Sequence, residues 1–248
     1  MMRTRSWAAG LAVLTLVLIV VNAPARLLGY ILPDQGVTLS GYSGSLWRGG
    51  VSRCLVSVPG GYLHLGAVEW SLQPISLLLL SPSLSISSRW GQQQISGQVT
   101  VHSSQKVSLA DFDANISARV LQQFLPIALA GDLFARVEHL IISGGESQRA
   151  EGRLVWQRAV WRSPQGTQAL GSYAIDFAQQ EQTPLIGELI TLEGPIKAEG
   201  SVQLQGRAYS VDVAVGSEGS MNPQLQRALS LLARPVEDGY HLVLQGQI

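Results

Sequence analysis

The sequence holds one cysteine, Cys54, in 248 residues, so no intrachain disulfide can staple the fold and no cysteine-based zinc centre can form. Stability has to come from buried apolar surface, and Cys54, inside a strand-like run between Arg53 and Leu55, is expected to be part of it. Charge is scarce too. Charged residues make up 14% of the chain, and 17 basic residues cancel 17 acidic ones, where an ordinary domain is about 25% charged. With no basic excess to neutralise phosphates, nucleic acid is excluded as a partner. The 6% aromatic content is too low for the girdles of an outer-membrane barrel. The four histidines, His64, His102, His139 and His241, lie far apart with no metal-ligand spacing. No nucleophile elbow, phosphate-cradling loop or dinucleotide fingerprint occurs. Ser103-Ser104-Gln105-Lys106 spells S-x-x-K, but in a turn and without its partner motifs. Asp111 and Asp113 pair on one strand with no cleft around them. These absences describe a chain that is not an enzyme and holds no metal or cofactor.

What the chain does have is an uncharged apolar run over residues 6–23, preceded by Arg3 and Arg5. Its length suits a single membrane crossing, and the basic flank stays cytoplasmic. A cleaved signal peptide is the competing reading, since Val21-Asn22-Ala23 resembles a cleavage site. Pro24 after it, and an apolar run longer than a signal core, favour an uncleaved anchor. The expected organisation is a cytoplasmic tail (1–5), a transmembrane anchor (6–23), a juxtamembrane linker (24–36) and a periplasmic β-rich domain (37–248).

Within that domain apolar residues recur at every second position, as in 83–90, where Leu84, Ile86, Ser88 and Trp90 alternate with Ser83, Ser85, Ser87 and Arg89. Such one-sided runs joined by short turns predict antiparallel sheet with one buried face. The fold class is mainly β, a long curled meander with two short helices against its concave face. One helix is read from Ile116, Val120, Leu121, Phe124 and Leu125, ending at Pro126. The other runs over 223–233, with Asn222 as cap, Pro223 in the first turn and Leu225, Leu229 and Leu232 as its apolar stripe.

The most distinctive stretch is 41–74, a glycine-punctuated strand pair with Trp47 near its start and Trp70 near its end. Gly44-Ser45-Leu46-Trp47-Arg48-Gly49, then Val68-Glu69-Trp70-Ser71-Leu72-Gln73-Pro74 before a leucine run, and later Gly152-Arg153-Leu154-Val155-Trp156, resemble type II secretion system protein N. The family's commoner threonine is Ser45 here. The resemblance implies a non-catalytic inner-membrane component of the machinery that moves folded exoproteins across the outer membrane of Gram-negative bacteria. It further implies a scaffold whose partners are inner-membrane platform subunits or the secretin. Trp47, Arg48, Trp70, Pro74 and Trp156 are the motif or docking residues it singles out. Trp47, Trp70, Trp156 and Trp161 also read as core or sheet-corner anchors, and exposed tryptophan and arginine as docking hot spots.

A second functional reading comes from the pattern alone: a curled sheet with an apolar concave face can form a groove for a lipid or other apolar ligand, tethered to the inner membrane. The lone thiol yields the first prediction. The thermal midpoint of the purified chain is expected to be the same with and without dithiothreitol, and a fall of several degrees on reduction would contradict a fold held by packing alone.

Overall fold

The computed structural model describes residues 15, 18, 19, 21–31, 36–58, 61–78, 80–123, 128–163, 166–181, 183–219 and 221–247. They form one antiparallel sheet of fourteen strands. The strands are β1 (Val37–Gly44), β2 (Arg48–Val58), β3 (Gly61–Leu72), β4 (Ser83–Trp90), β5 (Gln93–Val101), β6 (Lys106–Ser117) and β7 (Ala128–Ser143). They continue with β8 (Glu146–Ser163), β9 (Gly166–Gln179), β10 (Leu185–Glu193), β11 (Ile196–Gln205), β12 (Ala208–Ser217), β13 (Arg234–Val236) and β14 (Gly239–Gln247). Each strand up to β12 pairs with its neighbours in sequence; β14 then joins β12, and β13 closes the far edge on β14. The meander expected from the alternating runs is therefore what forms. Its longest hairpin, β7–β8, is joined by Gly144-Gly145 with φ of 63° and 86°, a two-residue turn that needs left-handed backbone at both positions.

Three short α-helices accompany the sheet: α1 (Leu28–Ile31), α2 (Pro74–Leu78) and α3 (Pro223–Leu232). α3 matches the sequence reading, with the Asn222 side chain accepting from Gln224 N at 2.8 Å. The other expected helix is corrected. Ile116 lies in β6, whose pairing with β7 persists to Ser117↔Asp132, and only Ala118–Gln123 turns, as a 3-10 helix. Sheet pairing overrides the helical spacing there, and too few residues remain before Pro126 for a stable α-helix; residues 124–127 lie outside the described ones. Among the described residues, three short α-helices and two 3-10 segments thus stand where two helices were expected, the other 3-10 segment being Ala25–Leu27. No helix among the described residues is long and apolar enough to cross a membrane, and most of the anchor expected over 6–23 lies outside them.

Register sorts the side chains cleanly. One cross-strand row from β6 to β14 reads Ala114, Ala135, Leu154, Ile175, Leu189, Gly200, Val213 and Leu242. The row beside it, one residue along each strand and on the opposite face, reads Asp113, Arg136, Arg153, Asp176, Glu188, Ser201 and Asp212. One face is apolar and the other charged, as the two-residue period requires. The apolar face is covered only in patches. Ala25, Val51, Cys54 and Trp70 make a small core at the β1–β4 end, and Ile196, Met221 and Leu225 make another beneath α3.

Curvature comes from bulges. Register slips between Ala130 and Asp132 on β7, Trp156 and Ala159 on β8, and Thr191 and Glu193 on β10. Arg158 sits at φ 48°; its amide donates to Ser172 Oγ at 3.2 Å, and Ser172 Oγ donates to Glu193 at 3.1 Å. Arg158 also pairs with Asp132. This stitched line bends the ends of β8 and β9 so that Trp161 and Leu170 pack on the cluster beneath α3. Gly131 lies on the line at φ 117°, where an added Cβ would stand 2.6 Å from the Gln157 carbonyl oxygen. Gly131→Ala is expected to cost about 1–3 kcal/mol, read as a lowered urea midpoint; an unchanged midpoint would show that the bend tolerates a side chain.

Candidate functional site

Two places gather the residues worth weighing. The first is the corner formed by residues 44–49. Ser45 bridges Pro24, Leu46 N donates to Ala23 O at 2.8 Å, and Leu72 N donates to Trp47 O at 2.7 Å. Trp70 Nε1 donates to Leu46 O at 3.0 Å, and its ring lies so close over Gly49 that a Cβ there would stand 2.8 Å from it. Trp70 is buried and Trp47 partly buried. Their main physical role is to lock the start of the sheet to the segment before it. Pro74 is exposed and opens α2, where Ser76 Oγ donates to Gln73 O and accepts from Ser83 N, handing β3 on to β4. Arg48 is exposed and edges a shallow polar hollow of about 660 Å³ shared with Glu69, Ser85, Ser87, Gln98 and Asp111.

The second place is a groove of about 580 Å³ on the apolar face. Its wall takes residues from every strand between β6 and β12, among them Ile116, Ala135, Leu154, Ile175 and Leu189, and is closed on one side by Leu225 and Leu229 of α3. Strands six steps apart in the order can share one groove only because the sheet curls over this face. Trp156 stands here on β8, five strands from Trp70 on β3, so the structure does not bring the five motif residues together.

Among the described lining side chains the only polar atoms are the Trp156 indole nitrogen and the Tyr173 hydroxyl, and both are satisfied within the fold. Trp156 Nε1 donates to Ala130 O at 3.2 Å and Tyr173 Oη to Ile196 O at 2.9 Å. Their rings lie 6.1 Å apart. Burial pushes the Tyr173 phenol up to about 12. Alternation on each strand could have flagged the apolar face, but which residues meet in the groove depends on register and bulges.

The residues with conventional chemistry are otherwise occupied. Ser103 of the S-x-x-K match accepts from the amides of Gln105 and Lys106 and shapes a hairpin turn. Asp113 is paired with Arg136 at 2.9 Å, while Asp111 sits in a bulge at φ 48°. The Arg153 fork grips Asp176 through two hydrogen bonds and so holds its carboxyl below the usual carboxylate range. His241 pairs with Asp212 at 2.7 Å and His102 meets Ser108 at 2.9 Å. Among the described residues no group of three His, Cys, Asp or Glu could hold a metal ion. Desolvation raises the buried Cys54 thiol, which disfavours the reactive thiolate.

Tyr173 supplies a prediction with a defined sign. Its hydroxyl ionises near 10 when unfolded and about 12 when folded, so between those pH values the unfolded chain holds fewer protons. Stability should fall as pH rises through that window, by at most roughly 1.4 kcal/mol per pH unit. Tyr173→Phe is expected to lose that fall and to cost about 1 kcal/mol at neutral pH by orphaning the Ile196 carbonyl. Parallel pH profiles for the two proteins would contradict the assignment.

The sequence model of the family described as type II secretion system (T2SS), protein N matches residues 35–243. A type II secretion system protein N of Vibrio cholerae serotype O1 is 28% identical over 244 residues, covering 93% of this chain and 93% of that protein. Another from Aeromonas hydrophila is 27% identical over 226 residues, covering 88% and 87%. No solved structure matches at a significant level.

Proposed function

This chain belongs to the type II secretion system protein N family, and from that premise we propose that it is a non-catalytic scaffold of the secretion machinery, anchored in the inner membrane with its sheet in the periplasm. The observation that carries the reading is the match over residues 35–243, which takes in the whole described sheet up to β14. The uncharged run over 6–23 behind Arg3 and Arg5 supplies the anchor and its orientation, with 1–5 cytoplasmic, 24–36 as the link to the membrane and 37–248 as the exported domain.

The two edges of the sheet suggest how it engages its neighbours. The β1 edge is eight residues long, with neither charge nor proline; the β13 edge is three residues long and carries Arg234 and Pro235. Proline and charge are the usual means of blocking strand addition; β13 covers only Gly239–His241 of β14, so β1 and the stretch of β14 over 242–247 are the two edges able to accept a partner strand. Arg48, exposed where β2 leaves the turn from β1, is the docking side chain nearest to the β1 edge. Platform subunits of the inner membrane or the secretin are the partners this geometry serves.

The test is site-specific photocrosslinking in cells from Arg48 and from exposed positions of α3. Capture of a secretion subunit from Arg48 is the expected result. Silence at both positions, with the protein present at normal levels, would remove the scaffold reading.

A further inference from the structure

We propose that the groove beneath α3 binds an acyl chain of a membrane phospholipid. Among the described residues no charged side chain lines its wall, and the two polar side-chain atoms there, on Trp156 and Tyr173, already donate to backbone carbonyls. The groove is a sheet face rather than an edge, so the backbone groups behind it are engaged in the strand ladders. An incoming peptide strand would have nothing to pair its amides and carbonyls with.

Size and shape narrow the occupant further. A groove of about 580 Å³ matches about one turn of an α-helix 10–12 Å across, some 420–610 Å³, so a docking helix would seat only a short part of its apolar face there. The same face of a second copy does not pack into it, because a concave face does not fit into a concave face. A polymethylene chain needs no hydrogen-bond partner and is thinner than a helix. Each methylene it withdraws from water strengthens binding about fourfold. The volume falls in the range of small-ligand sites, and Leu154, 42% exposed on the wall, marks the side open to solvent. The choice of membrane phospholipid as the source rests on the anchor reading above, which keeps the groove close to a bilayer.

The experiment places p-benzoyl-phenylalanine at Leu154, in the groove, or at Arg153, its neighbour on the opposite face, in the full-length protein expressed in cells. After irradiation the adducts are identified by mass. A phospholipid adduct at least tenfold more abundant at Leu154 than at Arg153, and lost when Ala198→Trp fills the groove, is the expected result. Should Ala198→Trp fail to accumulate, native mass spectrometry of the protein in mild detergent compares copurifying phospholipid in the wild type and Leu154→Glu, a change at a partly exposed position. Retained phospholipid in the wild type and at least tenfold less in the variant supports the site. No adduct at Leu154, equal adducts on both faces, or an adduct of protein size overturns it. Carbonate extraction of the same cells tests the anchor separately: a chain released as soluble but still carrying the adduct upholds the groove and removes the anchor.

Discussion

The bend across β7 to β10 is the constraint on which the rest of the molecule depends. A fourteen-stranded antiparallel sheet twists by itself, but twist alone does not fold strand ends back over a face. The line through Gly131, Arg158, Ser172 and Glu193 does so, because each strand gives up a ladder position there and side-chain hydrogen bonds take its place. Left-handed backbone at Arg158 is unfavourable for a side-chain-bearing residue. Burial of Ile196, Met221 and Leu225 against Trp161 and Leu170 offsets that strain.

The second consequence is an incomplete core. The sheet has no second layer among the described residues, only α3 at one end and the Ala25 segment at the other, and among those residues no large side chain is fully buried. Two small clusters hold the ends, while the stretch between them, from Ala114 to Leu189, faces a groove. The opposite face is kept soluble by the Asp113–Arg136 and Arg153–Asp176 pairs, which are exposed and contribute little to stability. The described sheet thus presents one charged face and one apolar hollow.

Much of the strand plan was legible in the sequence because a half-buried antiparallel strand writes its period into the side chains. Ser83–Trp90 was readable at both ends, and Asn222-Pro223 announced the start of α3. β13 was not legible, since three residues including Pro235 carry no pattern. Ile116 to Leu125 carried a helical spacing that pairing with β7 overruled. The bulges at Asp111 and Arg158 could not be seen: arginine does not favour left-handed backbone, and aspartate, which adopts it more readily, does so in too few places to mark one. Trp47 and Trp70 were readable as a corner. Trp156 was readable as part of a family motif, but its place in the groove follows from register across seven strands, which single-sequence periodicity does not encode. Tyr173, Leu154 and Ile175 escaped notice as site residues for the same reason.

The account stands or falls on an apolar chain lying against Trp156. Reconstituting the full-length protein into phosphatidylethanolamine–phosphatidylglycerol vesicles with brominated acyl chains and measuring tryptophan quenching tests this directly, since bromine quenches an indole only at contact range. Quenching of the wild type should exceed that of Trp156→Phe at equal bromolipid content. Equal quenching in the two proteins would mean that no acyl chain reaches the groove, and that the apolar face has another use.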